Sequence, residues 1–311
     1  MPETATRPLV DPPARSRFAQ WLPTAVDTRI RVFAWISFVL NVVIIATGGA
    51  VRLTGSGLGC SDWPVCVPGS LVPTPELGIH GVIEFANRTI SGPLLLAAVG
   101  VLVLVWRMRR TRRDLFVIAA VIVALVIVQA LVGAFVVWQE LAAALVGFHY
   151  TVSVVIVCIA ATFLVRMRQP GSERVAAAPR PFAILTHVTG LALAVTVFVG
   201  VLTTAAGPHS GDEDVIRTGF DASILAHVHS WPGYVLGTLA LILAVSAVAQ
   251  RLPQRGWTIA LLGIIAVQVI VGVIQARNGL PEILVGIHMV LAALSAATYT
   301  ALAMNLRRPV R

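Results

Sequence analysis

Five of the chain's seven histidines, His80, His149, His227, His229 and His288, sit within or at the edge of long apolar stretches, and Glu84 and Asn87 follow His80 at helical spacing. An imidazole or carboxylate surrounded by hydrocarbon is costly, so such residues mark sites. A single one of these histidines reads equally well as a hydrogen-bonding partner of a neighbouring helix; five near one depth do not. Zinc would need three or four nitrogen, sulfur or oxygen ligands close together, more than any one region supplies. A haem iron needs two axial imidazoles, one on each side of a flat ring that apolar side chains can solvate. His229 with His288 fits such a pair. His227 is its rival, but residues two apart on a helix point about 200° apart, so only one of the two can face the partner helix. His149 is matched at similar depth by Asn87, not by a second histidine, which predicts one fixed haem and one differently ligated one.

These residues need a membrane-spanning frame. The chain of 311 residues is 57% hydrophobic and 12% charged, half the charge of an ordinary soluble domain. That excludes a soluble enzyme, a disordered chain and a nucleic-acid binder, despite a net charge of +9. Runs of about 20 apolar residues cross the bilayer, and eight can be read: 31–52, 79–106, 115–138, 142–166, 181–204, 221–249, 256–275 and 282–306. Irregular backbone cannot face lipid, so the expected fold is an all-α polytopic bundle. Residues 1–30 read as a cytoplasmic tail, since no apolar stretch follows a short basic one as in a signal peptide.

All 23 basic residues are Arg, and nineteen fall in the tails or in loops on one side of this frame. By the positive-inside rule that side is cytoplasmic, with both termini inside. The opposite loops carry Asp62, Glu76, Glu140, Asp212, Glu213, Asp214, Asp221 and Glu282. The four remaining arginines, Arg52, Arg88, Arg217 and Arg277, are candidates for pairing with haem propionates or for interface anchoring. Spans two, four, six and eight enter from outside, which puts the five histidines in a layer roughly 10 Å below the outer surface at 1.5 Å per helical residue.

The chain also repeats. VQALVGAFVVWQELAAALVGFH at 128–149 returns as VQVIVGVIQARNGLPEILVGIH at 267–288, a shift of 139 with no gap. Gln129 matches Gln268, Gly133 matches Gly272 and His149 matches His288. Four spans per half give both halves the same orientation, hence two pseudo-symmetric four-helix bundles, with sites between facing helices. The halves are 31–166 and 181–306, joined by a cytoplasmic linker, 167–180, and followed by a tail, 307–311.

Glu84 lies one turn from both His80 and Arg88, so the three share a helix face that must look into the bundle. It serves either as an ion-pair partner of Arg88 or as a carboxylate that orients substrate or moves protons. Cys60 and Cys66, in the first outer loop GSGLGCSDWPVCVPG, lie on the oxidising side, where a disulfide is expected. A plain loop staple and a redox relay both fit it. Cys158 reads as packing, and His187 and His209 as interface and loop residues.

The stretches TGGAVRLTGSGLGCSDWPVC, IEFANR and GPHSGD resemble the haem A synthase family of cytochrome oxidase assembly proteins, over all eight spans. The resemblance implies that the C-terminal half holds haem b and the N-terminal half takes haem o. A ring methyl is then oxidised stepwise to a formyl group, giving haem A. It implies a catalytic Glu84, haem ligands at His149, His229 and His288, and a Cys60–Cys66 disulfide. It implies haem o synthase and oxidase-assembly partners, a quinol or other electron donor, a cell-membrane location among lipid, and leaves room for a homo-oligomer. A di-haem carrier that oxidises quinol without chemistry on haem is the alternative. The family's span-two pattern is Glu-x-x-His-Arg, whereas this chain has Glu84, Phe85, Ala86, Asn87, Arg88. Either the substrate iron is left five-coordinate, or His80, two turns outward, replaces the missing ligand. Asn87, Arg52 and Arg88 are further candidate contacts of the substrate haem.

Overall fold

The computed structural model describes residues 20–171, 173–212, 214–215 and 221–310. Eight helices long and apolar enough to span a membrane dominate it. We number them α1 Thr28–Leu53, α2 Gly78–Val105, α3 Arg113–Trp138, α4 Ala143–Arg166, α5 Arg180–Ala206, α6 Ala222–Ala249, α7 Arg255–Arg277 and α8 Glu282–Met304. Each coincides with one span read from the sequence, with ends moved by at most three residues.

Local chemistry sets those ends. Asp27 caps α1 by accepting from the Ile30 N–H at 3.0 Å, satisfying a donor that has no intrahelical partner. At the same end of the bundle, Asp114 in the first turn of α3 accepts from Arg112 at 3.1 Å and pairs with Arg166, the last residue of α4, at 2.7 Å. The α3–α4 and α7–α8 turns are built alike. Glu140 and Leu141 adopt φ of 47° and 59°, and Gly279 and Leu280 adopt 74° and 60°. The Leu141 N–H bonds Val136 O and the Leu280 N–H bonds Gln275 O, both at 2.9 Å, the six-to-one bond of a helix ending in left-handed residues. The 139-residue repeat is therefore a repeat of backbone as well as of side chains.

Within each half, successive helices pack in order, α1 to α4 and α5 to α8. The first half closes on Ile30, Leu94, Val105, Leu115 and Phe163, the second on Phe182, Leu243, Leu261 and Leu302. These residues come from the beginnings of α1, α3, α5 and α7 and from the later turns of the other helices. The tight apolar cores therefore fill the arginine-rich end of each bundle, and the opposite end is left to the histidines. Between the halves, Ile45, Val154, Val157, Ala161, Ala293, Ala296 and Ala297 form a third cluster on α1, α4 and α8. Its alanines let the helices approach closely, as membrane interfaces require.

One feature was not foreseen. The stretches read as linker and tail pair as a two-stranded antiparallel sheet, β1 Arg174–Ala176 with β2 Arg307–Pro309, Val175 facing Arg308. Arg174 Nη2 adds a bond to Met304 O at 3.0 Å. The sheet ties the chain entering the second half to the chain leaving it.

Candidate functional site

In the second half, the structure brings His229 of α6 and His288 of α8 together, with ring centroids 6.3 Å apart and planes at 76°. His227 is exposed and turned away, as its 200° offset requires. Each imidazole of the pair rests against a glycine of a neighbouring helix. A Cβ built at Gly200 of α5 would come within 2.8 Å of His229 Cε1, and one at Gly272 of α7 within 3.1 Å of His288 Cε1. The Nδ1 atom of His149 is buried without a hydrogen-bond partner among the described residues, a condition buried polar atoms rarely tolerate unless something else binds there. Those of His229 and His288 are likewise buried, with the backbone of Thr196 and of Gln268 beside the two rings. A metal-bound imidazole nitrogen sits about 2 Å from the ion, so rings 6.3 Å apart would leave room for one iron held by His229 and His288. Among the described residues no group of three or more His, Cys, Asp or Glu could hold a metal ion. A two-ligand group such as a haem is what these donors suit.

The first half repeats half of this arrangement. His149 of α4 rests on Gly133 of α3, at 3.6 Å from a built Cβ. Its backbone carbonyl accepts from Gln129 Nε2 at 2.7 Å, just as His288 O accepts from Gln268 Nε2 at 3.0 Å. Opposite, Asn87 of α2 rests on Gly48 of α1, its Oδ1 3.7 Å from a built Cβ. Thr47 Oγ1 donates to that Oδ1 at 2.7 Å. Asn87 thus holds in the first half the seat that His229 holds in the second.

Glu84 and its neighbours divide differently from the expectation of one shared inward face. Glu84 is 4% exposed. Its Oε2 accepts from the Cys60 N–H at 2.7 Å, and its Oε1 accepts from Arg88 through Nε at 3.0 Å and through Nη2. Arg88 spends its other donors on Asp62 O at 2.7 Å, Val65 O at 3.2 Å and Cys60 O at 3.2 Å. The pair therefore clamps the loop that carries the Cys60–Cys66 disulfide, whose cysteines are fully buried. His80 is exposed, with Nδ1 2.9 Å from Ser56 Oγ, so it faces the outer loop rather than the bundle. The sequence showed the Glu84–Arg88 spacing but not the bond to Cys60, because a loop-to-helix contact has no period.

The remaining candidates lie at the seam of the halves or apart. Arg52 is buried at the end of α1 and donates through Nη2 to Thr204 O of α5 at 2.5 Å. Nearby, Gly57 N bonds Gly211 O at 2.7 Å, and His209 Nε2 lies 3.0 Å from Leu280 O. The late GPHSGD loop and the first outer loop thus meet. Arg277 and His187 are exposed; Arg217 and Glu213 lie outside the described residues. Between the histidine layers a bond runs from Tyr150 Oη to Met289 O at 2.9 Å. Tyr150 and Met289, 139 residues apart, each follow a site histidine.

A family model described as Cytochrome oxidase assembly protein matches residues 31–300. Among relatives, the Heme A synthase of Staphylococcus saprophyticus is 29% identical over 178 residues, covering 54% of this chain and 57% of that protein. That of Staphylococcus haemolyticus is 33% identical over 130 residues, 40% and 42% of the two chains. That of Halalkalibacterium halodurans is 30% identical over 129 residues, again 40% and 42%. The matched part thus spans about half the length of these relatives.

The clamp makes a structural prediction. Glu84→Ala leaves the buried Cys60 N–H without an acceptor, a loss of about 1–3 kcal/mol. Amide exchange at Cys60 and its neighbours should speed up, and the thermal midpoint of the purified protein should fall. Unchanged exchange across 60–66 would show that the carboxylate does not hold the loop.

Proposed function

The chain belongs to the cytochrome oxidase assembly protein family, and we propose that it is a haem A synthase, which takes haem o as substrate and oxidises a ring methyl to a formyl group. The observation that carries this reading is the glycine-seated imidazole pair His229 and His288, with its single-histidine counterpart at His149. The name shared by the relatives supports it.

In this reading the halves divide the work. Residues 181–306 hold haem b on His229 and His288, and residues 31–166 take haem o on His149. A bis-imidazole haem supplies one-electron transfer when bound. The protein supplies position and charge. His149 fixes the substrate against α4, and its Gly133 seat fixes His149. The disulfide loop, pinned by Glu84 and Arg88, covers the outer end of the first half and limits water there. Glu84 is the one acid in that part of the bundle. Its carboxylate would accept the proton released as the methyl group is oxidised, or stabilise positive charge that develops there. Arg88 has its donors engaged, so it positions Glu84 and the loop. Arg52, at the level of the outer loops, is the candidate partner of a substrate propionate. The arginine-rich end faces the cytoplasm of the cell membrane, which leaves the disulfide on the oxidising side. The oxidation removes electrons from the methyl carbon and adds an oxygen atom, so it would need an external oxidant and an oxygen source, water or dioxygen. A quinol or similar donor would supply electrons where dioxygen is that oxidant, and a haem o synthase would provide the substrate.

Two outcomes are expected. His229→Ala and His288→Ala should each abolish the low-spin haem b spectrum of the purified protein, while His149→Ala and His227→Ala leave it. Gly200→Ala, with the tightest seat, should lower haem b content more than Gly272→Ala. A low-spin spectrum that survives in both the His229 and His288 variants overturns the assignment.

The second outcome concerns the chemistry. Glu84→Gln keeps size and a hydrogen-bonding group but removes the charge. In cells lacking their own synthase, it should bind haem in both halves yet lower haem A by about a hundredfold or more, the scale of removing an acid–base group. Chromatography of extracted haems reads this directly, and near-normal haem A would reduce Glu84 to a loop clamp.

A further inference from the structure

Each half offers the same two seats, and the halves fill them differently. In the second half Gly200 and Gly272 carry His229 and His288, whose rings face each other at 6.3 Å. In the first half Gly48 and Gly133 carry Asn87 and His149. The helices bearing these glycines and side chains pack in the same order in both bundles. Asn87 therefore faces His149 across the gap that His229 spans to reach His288. An amide is a hard, weak donor, whereas iron in such a site favours imidazole. His80 does not fill the place, being exposed and engaged with Ser56 Oγ.

Resting on the haem reading above, we propose that the first half holds haem iron through His149 alone and keeps the sixth position open to a small exogenous ligand, to which Asn87 donates a hydrogen bond. The ligand class is a neutral diatomic or similarly small π-acceptor molecule. Thr47 Oγ1 donates to Asn87 Oδ1 at 2.7 Å. The same hydroxyl lies 3.2 Å from Val43 O and 3.3 Å from Ile44 O. With its single proton given to Asn87 Oδ1, the shortest of the three contacts, Nδ2 is left as the donor toward the gap, and no acceptor for it is found among the described residues. Thr47 is thus a positioning residue. The second half, closed on both faces by imidazole, binds no such ligand.

Carbon monoxide is the probe. The full chain, purified with its haems and reduced, should bind carbon monoxide at one of its two haems, and when oxidised should show a high-spin signal beside the low-spin one. Asn87→His should convert the high-spin signal to low-spin and abolish carbon monoxide binding without lowering haem content. Asn87→Ala should keep binding but raise the C–O stretching frequency. It should also speed ligand release roughly three- to tenfold, the loss of one hydrogen bond. His80→Ala should change none of these. Absence of carbon monoxide binding in the unmodified chain, or its appearance only in His80→Ala, overturns the proposal while leaving the haem A synthase reading intact. An unchanged C–O stretch in Asn87→Ala removes Asn87 as the donor. If His149→Ala leaves haem content unchanged, the first half holds no haem on His149, and the underlying reading fails with this one.

Discussion

Each of the site side chains, toward the end of the bundles opposite the arginines, rests on a residue with no side chain. Glycine at positions 200 and 272 lets an imidazole lie against a neighbouring helix that a Cβ would crowd, and at positions 48 and 133 an amide and an imidazole rest on the equivalent glycines at ordinary contact distance. In a membrane this constraint is severe, because a polar group pushed outward meets hydrocarbon. The glycine seat keeps it inside, at fixed depth, aimed at the opposite helix. The rest of the fold serves that geometry. Apolar cores lock the arginine-rich ends of both bundles, and so hold the helices still where no functional group is needed. The histidine layer then sits on rigid helix segments, as a preorganised site requires.

The halves are separate bundles but not independent. Ile45 of α1 and the valines and alanines of α4 and α8 weld them along the middle. Toward the histidine layer the seam turns polar, with Arg52 reaching Thr204 and Tyr150 reaching Met289. The second of these joins the residues that directly follow His149 and His288, so a shift of either helix is felt next to the other site. The Glu84–Arg88 clamp extends the same order to the outer loop, where a carboxylate buried on a backbone N–H and a guanidinium fixes the disulfide turn.

How much of this could be read in advance depended on what carries a period. Long apolar runs declared the eight helices, and the constant 139-residue shift declared the α3–α4 and α7–α8 pairs, including Gln129 and Gln268 on their histidine carbonyls. That Asn87 stands where a second histidine would was legible from its depth, but its seat on Gly48 was not, because unequal loops break the shift: Gly48 corresponds to Gly200 at 152 positions, but Asn87 to His229 at 142. Only packing puts those residues in register. The face assigned to His80 failed for a related reason. Helical spacing places it with Glu84, but it stands in the first turn of α2, where the neighbour is the outer loop and Ser56 rather than another helix. The β1–β2 pair was invisible because strands of three residues carry no pattern.

The central claim is that two similar bundles hold two different tetrapyrroles, a resident one between paired imidazoles and a substrate on a single histidine. Mass identification and counting of the tetrapyrroles extracted from the purified full chain, produced in cells that make haem o, tests it most directly. The account predicts haem b together with haem o or haem A in the same preparation. Haem b alone, at two per chain, would contradict it.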